Sequence, residues 1–220
     1  MAHSILTAEQ RQFLELLSHN EPLRDQFYLS GGTALAEFYL HHRFSEDLDF
    51  FSPDEDIPES AVEKFVSQVA DKINVKKVEY RQLKERRLFF LIMPHSELKV
   101  EFTYFPYAQL EPAGNHHGIA LDSLDDIAAN KLKALIGRTE SKDFVDVHSL
   151  IDSGKYTLNR LRELTQKKFN LAFDPITLGS EFAKVRELQI MPQMLEPLSL
   201  DELSKFFGNL ALELEKEVIE

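Results

Sequence analysis

Apolar and polar positions alternate along the chain in blocks that change period. Thr7-Ala8-Glu9-Gln10 has the form of a capping box, and it predicts a helix with Phe13, Leu14, Leu16 and Leu17 as its inner stripe. Phe27-Tyr28-Leu29 reads as a short strand stopped by Gly31-Gly32, and Thr33 to about His42 reads as a helix. Asp47-Leu48-Asp49-Phe50-Phe51 alternates with period two, which predicts a strand. Pro58 marks a helix start, after which Ala61, Val62, Phe65, Val66 and Val69 recur at helical spacing. Strand-like runs follow around 75–82, 88–93 and 98–104, and 109–118 reads as a loop. From Ser123 onward the pattern is helical, broken at 137–141, 153–154, 173–175 and 191–197. The expectation is an α/β fold of α+β type: a mixed-sheet core over residues 1–106, then a helical domain over 107–220 that shares an interface with it.

Composition narrows the class. The 220 residues are 43% hydrophobic and include 17 Phe, enough to fill a core without staples. There is no Cys, which excludes a disulfide scaffold, a thiol nucleophile and any thiolate-bound metal. No apolar run approaches the ~20 residues that cross a bilayer, and the opening MAHSILTAEQ lacks a signal-peptide pattern. The expected setting is soluble and cytoplasmic, with no membrane partner.

The charge balance constrains partners. With 25 Lys and Arg against 37 Asp and Glu, the formal net charge is −12, the wrong sign for coating nucleic acid over a broad face. A local run, Lys76, Lys77, Arg81, Lys84, Arg86 and Arg87, could still grip a backbone. A second cluster is Arg160, Arg162, Lys167 and Lys168. The ordinary alternative for either is a solvated face.

Three groups of residues carry chemistry. A strand ending in Gly31-Gly32 and turning into a helix presents backbone N–H groups suited to phosphate oxygens, with Ser30 and Thr33 close by. An ordinary tight turn would look the same. Asp47 and Asp49, two apart in a strand, share a face while Leu48 and Phe50 point inward. Like charges so placed persist best around a divalent cation, and an all-oxygen set suggests Mg²⁺. Glu101 lies on the polar face of its own strand, and its convergence with the Asp pair would give the three acids of a two-metal site. In the helical half, Lys131 and Arg138 fall on the apolar stripe with Leu124, Ile127 and Leu135, while Lys133 falls opposite, toward solvent. Their partner is either bound phosphate or Asp143 and Asp146 of the next helix. The adjacent pairs His41-His42 and His116-His117 lack the spacing of a helical zinc site.

The run Gly-Gly-Thr-Ala-Leu-Ala from Gly31, then Arg43-Phe-Ser-Glu-Asp-Leu-Asp-Phe-Phe51, resembles the nucleotidyltransferase AbiEii/AbiGii toxin family. That family lies within the DNA polymerase beta-like nucleotidyltransferase superfamily. The later run from Asp126 through Lys131 and Arg138 to Lys142-Asp143-Phe-Val-Asp146 resembles its second block. The resemblance implies an NTP-dependent, Mg²⁺-dependent enzyme that transfers NMP to a hydroxyl and releases pyrophosphate. It makes Asp47, Asp49 and Glu101 the ligands of a two-ion site. It gives Gly31, Gly32, Thr33 and Ser45 to the nucleotide phosphates, Lys131 to the triphosphate, and Asp143 to completion of the site. Arg138 joins the nucleotide-binding set, Arg43 is a further candidate beside it, and the helical domain contributes to the active site. It further implies a toxin with a cognate antitoxin protein, acting on RNA, with the 3′ end of tRNA as acceptor. A small-molecule nucleotidyltransferase of the antibiotic-modifying kind is the alternative, and a non-catalytic partner-binding module of the same fold is a third reading.

Overall fold

A computed structural model describes residues 4–219. Met1, Ala2 and His3 of the opening segment read above, and Glu220, lie outside the described residues. By packing the chain divides into two units, one comprising residues up to 37 and 45–123, the other 38–44 and 124 onward.

The first unit is built on one mixed sheet. Its strands are β1 (Tyr28–Ser30), β2 (Asp47–Ser52), β3 (Lys77–Leu83), β4 (Arg86–Ile92), β5 (Glu97–Tyr104), β6 (Gly114–His116) and β7 (Ile119–Leu121). They lie in the order β3-β4-β5-β2-β1-β7-β6. Pairs β1–β2, β3–β4, β4–β5 and β6–β7 are antiparallel, while β1–β7 and β2–β5 are parallel. The predicted capping box closes: Thr7 Oγ1 accepts from the Gln10 amide, and Gln10 Oε1 accepts from the Thr7 amide. It starts α1 (Ala8–Ser18), which buries Phe13, Leu14 and Leu17. The short α2 (Glu21–Gln26) and, later in the chain, α4 (Glu59–Lys72) also pack in this unit, the latter burying Val62, Phe65, Val66 and Val69 as its spacing predicts. Phe13 stacks on Phe50 and Phe50 on Phe102, with ring centroids 5.9 and 5.1 Å apart. Phe65 and Phe27 meet this stack edge-on. One face of the sheet is thereby fixed in the core, and the other face of β2 and β5 remains for chemistry.

Two expectations change here. The segment read as a loop over 109–118 contains β6, whose three exposed residues carry no apolar alternation to betray a strand. Strand β7 joins β1, and Asp122 N–H donates to the Leu29 carbonyl. The sheet unit therefore runs to Ser123, beyond the boundary at 106 that the change of pattern suggested. The helix expected from Thr33 to His42 is α3 (Gly31–Leu35), continued by a π-helical turn (Ala36–Leu40) and ended by His41 at φ 53°.

The second unit holds α5 (Leu124–Gly137), α6 (Ser141–Asp152), α7 (Leu158–Phe169), α8 (Pro175–Ala183) and α9 (Leu200–Ile219), with a 3₁₀ turn at Lys184–Glu187. Phe144, Phe182 and Phe207 pack together in its core. The Arg160–Lys168 cluster is not one solvated basic face. Lys168 is buried against Asp126 at 2.6 Å, Arg160 pairs with Asp125, and Arg162 pairs with Glu217. Among the described residues, no helix is long and apolar enough to cross a membrane.

Candidate active site

Register answers the question that the sequence could not. Because β2 and β5 run parallel with Asp47 opposite Lys99 and Asp49 opposite Glu101, the three acids share one face of adjacent strands. Their inward neighbours Leu48, Phe50, Val100 and Phe102 are fully buried, which locks that phase. On the other side of β2, Ser30 lies opposite Asp49, so the glycine turn that follows β1 arrives beside the acid pair.

Gly31 shows how closely it arrives. It sits at φ +73°, and a Cβ built there would come within 2.2 Å of Asp49 Oδ2. Only glycine serves both constraints. Gly31→Ala is therefore expected to lose about 1–2 kcal/mol from the left-handed backbone alone, and to push the Asp49 carboxylate aside. Urea denaturation checks this, and unchanged stability would show that the turn does not need its glycine.

The hydroxyls flanking the turn act within the protein. Thr33 Oγ1 donates to the Asp47 carbonyl and ties α3 to β2. Ser30 Oγ donates to buried Asp122 at 2.7 Å, and Gln109 donates to the other oxygen of Asp122 at 3.2 Å. Ser30 makes no side-chain cap on α3, so it leaves the first-turn amides to other acceptors. Ser45 is half-buried, and its carbonyl accepts from Gln10 Nε2.

Cations stand among the acids. Lys99 Nζ lies 2.7 Å from Asp47 Oδ2. Arg86 reaches Glu101 with two arms, Nε to Oε1 at 2.6 Å and Nη2 to Oε2 at 2.5 Å, while Thr103 Oγ1 donates to Oε1 at 2.6 Å. Burial works against the Lys99 ammonium, but the hydrogen bond to Asp47 and the charges of Asp47, Asp49 and Glu101 outweigh it and raise its pKa. The bond to Glu101 likewise raises that of Arg86, with Asp49 and Asp47 adding to it. The site thus carries three negative and two positive side chains.

A divalent cation fits this donor set. Asp47 and Asp49 offer hard oxygens on one face, and the missing side chain of Gly31 is what makes room for the Asp49 carboxylate. Among the described residues, no three His, Asp or Glu side chains already stand as a preformed cage.

The helical unit has its own charged cluster, centred on Asp146. This fully buried carboxylate accepts from Arg43 Nε and Nη2 at 2.7 and 2.9 Å and from His42 Nε2 at 2.7 Å, and pairs with Lys131 Nζ at 2.7 Å. Burial opposes its ionisation, yet Lys131, Arg43 and the hydrogen bonds hold its pKa well below the usual carboxylate range. Asp143 is bound by Arg138 Nε at 2.7 Å and lies 3.4 Å from Lys131. The side-chain pairing across α5 and α6 is thus realised. Lys131 is buried, Arg43 is 3% exposed, and Arg138 keeps 47% of its side chain at the surface. Lys133 is not the solvent-facing control its phase suggested, because its ammonium lies 4.0 Å from the centre of the Phe169 ring.

The basic run on β3 and β4 is also internally compensated. Lys77 and Arg81 both pair with Glu79, Arg87 with Glu59, and Arg86 with Glu101. Glu79, two residues from both Lys77 and Arg81, was the one signal in the sequence that this run is not a uniform phosphate grip, since Glu59 and Glu101 lie outside it. Four residues escaped the sequence reading as members of the site: Lys99, Thr103, Asp122 and Gln109. Lys99 alone had a signal, since it stands two before Glu101 as Asp47 stands two before Asp49.

Comparison with known proteins gives the family and the fold. Residues 15–216 match the family described as nucleotidyl transferase AbiEii toxin, type IV TA system. An uncharacterized protein of Aquifex aeolicus, aq_aa25, is 35% identical over 206 residues, spanning 92% of this chain and 94% of that protein. Two solved structures share the fold. A candidate nucleotidyltransferase from H. pylori has a TM-score of 0.62 at 21% identity, covering 98% of this chain and 99% of its own. JHP933 from Helicobacter pylori has a TM-score of 0.59 at 21% identity, covering 95% and 90%. The resemblance read from the glycine turn and the Asp pair thus extends over nearly the whole chain, which belongs to the AbiEii nucleotidyl transferase toxin family of type IV toxin–antitoxin systems.

Proposed function

We propose that the sheet unit binds a nucleoside triphosphate with Mg²⁺ and transfers its NMP to the 3′ hydroxyl of an RNA, tRNA being the favoured acceptor. The observation that carries this reading is the in-register convergence of Asp47, Asp49 and Glu101 beside Gly31. Asp47 and Asp49 would hold the metal. When bound, the ion supplies charge neutralisation at the phosphates and lowers the pKa of the attacking hydroxyl. The uncapped amides of Gly32 and Thr33 would orient phosphate oxygens. The acceptor hydroxyl gives up its proton to solvent as its oxygen bonds the α-phosphorus, the bond to the bridging oxygen breaks, and pyrophosphate leaves. Thr33 ties the glycine turn to β2, and the Ser30–Asp122 bond ties it to the end of β7, while this happens. In the helical unit, Lys131 and Arg138 are read as phosphate ligands, Arg138 having the exposed guanidinium. A cognate antitoxin and a cytoplasmic setting complete the reading.

One observation favours a small-molecule acceptor instead: most cations of the β3–β4 hairpin are already paired with acids. The two separate cleanly. Incubation with each labelled NTP and total RNA is expected to label RNA 3′ ends. Reversing Lys76 and Lys84 to Glu should then suppress labelling while NTP binding survives, with the salt dependence flattened by about one log–log unit per lost contact. Label that appears only in a small-molecule pool would transfer the assignment to the second reading.

A further inference from the structure

The three acids invite a two-ion site, but their side-chain partners argue for a different division of labour. Every bond drawn to Glu101 comes from the protein: Oε1 accepts from Arg86 and Thr103, and Oε2 accepts from Arg86. Its side chain is 5% exposed, while that of Arg86 is 45% exposed. A bidentate guanidinium–carboxylate pair is geometrically specific and stronger than an ordinary ion pair. To ligate an ion, Glu101 would have to give up that partner and leave a nearly buried carboxylate to be satisfied anew. Lys99 meanwhile covers Asp47 Oδ2 from the directly opposite position on β5.

These two cations lie on the same face as the Asp pair. Lys99 is opposite Asp47, and Arg86 is opposite Thr103, next on that face after Glu101. Arg86 turns Nε and Nη2 to Glu101 and keeps 45% of its side chain exposed, so its remaining N–H groups are not used by Glu101. Asp47, Asp49 and Glu101 with Lys99 and Arg86 sum to −1, and one divalent cation brings these five side chains to +1, net positive before any second ion.

We infer that Arg86, aligned by Glu101, acts with Lys99 as a built-in substitute for the second metal ion, so that the site takes one divalent cation through Asp47 and Asp49. Glu101 is then a positioning residue for a phosphate-binding arginine, not a metal ligand. The inference rests on the nucleotidyl-transfer reading of this face and assigns the leaving pyrophosphate to Arg86 and Lys99.

The test uses the full chain and Mn²⁺ as probe, counted by electron paramagnetic resonance with saturating α,β-methylene nucleoside triphosphates, one base at a time. One magnetically isolated Mn²⁺ per chain is expected. Two coupled ions would overturn the inference while leaving the nucleotidyl-transfer reading intact. No bound Mn²⁺ would instead remove the reading itself. Glu101→Gln separates the roles further. Affinity for Mn²⁺ alone should hold, while analogue affinity falls about tenfold, as for Arg86→Gln or Lys99→Gln, the scale of one charge-assisted hydrogen bond. A loss of Mn²⁺ affinity in Glu101→Gln, comparable to that in Asp49→Asn, would show Glu101 to be a metal ligand. Circular dichroism of each variant confirms that the fold is kept.

Discussion

Asp49→Asn is expected to reduce nucleotidyl transfer by about 10²–10³-fold or more, the scale set by removing one preorganised electrostatic group from a reacting centre. The change keeps the side chain's shape beside Gly31 and removes only its charge, so the fold should survive. Asp47→Asn should be as damaging to transfer but slightly more costly to stability. Asp47 pairs with Lys99, and both are partly exposed, so the lost pair is a modest contributor. Repulsion between two acids on one strand face would by itself make removal of one a gain in stability. Lys99 and Arg86 remove that expectation, because the repulsion is already offset in the folded chain. Thermal melts of both variants with parallel transfer assays check the split. A large loss of stability in Asp49→Asn would give that residue a structural role instead.

Asp146→Ala is expected to be the most destabilising single change in the helical unit, costing about 3–5 kcal/mol. It removes the carboxylate that Arg43 and Lys131, both nearly buried, share, and leaves Lys131 with Asp143 at 3.4 Å. Asp146→Asn should cost less, because it keeps acceptor geometry for His42 and Arg43. The sign of the pH effect follows from a depressed carboxylate pKa. The stabilisation is fully present above the unfolded carboxylate value of about 3.9 and is lost as pH falls through the folded value. Wild type should therefore lose stability steeply below about pH 4, and Asp146→Asn should show a shallower acid limb. Denaturant titrations at neutral and acid pH measure both. Identical slopes would mean that Asp146 does not carry the linkage.

The helices with a clear apolar stripe and the β2 alternation were legible because each buries one face, and burial is what periodicity records. The glycine turn and the Asp pair were legible for a related reason, since only particular residue types tolerate those positions. Adjacency of β2 and β5 was not legible. Their parallel pairing skips the β3–β4 hairpin, and no local pattern encodes which strand a crossover returns to. The same gap hid Lys99 and Arg86 as partners of the acids. Strand β6 has three exposed residues, and β7 is equally short, so neither offers enough alternation to be read. The Asp146 cluster failed differently. Both helices were placed, but His42 and Arg43 come from 103 or more residues away in the chain, and sequence separation conceals such contacts.

In the proposed reaction, transfer depends on the Asp47–Asp49 pair. Purified protein, Mg²⁺, each labelled NTP and total RNA, with pyrophosphate release followed in the same reaction, puts that dependence to a single measurement. Wild type is predicted to release pyrophosphate with label appearing on RNA, and Asp49→Asn to release none above background. Equal release by the two proteins would contradict the account.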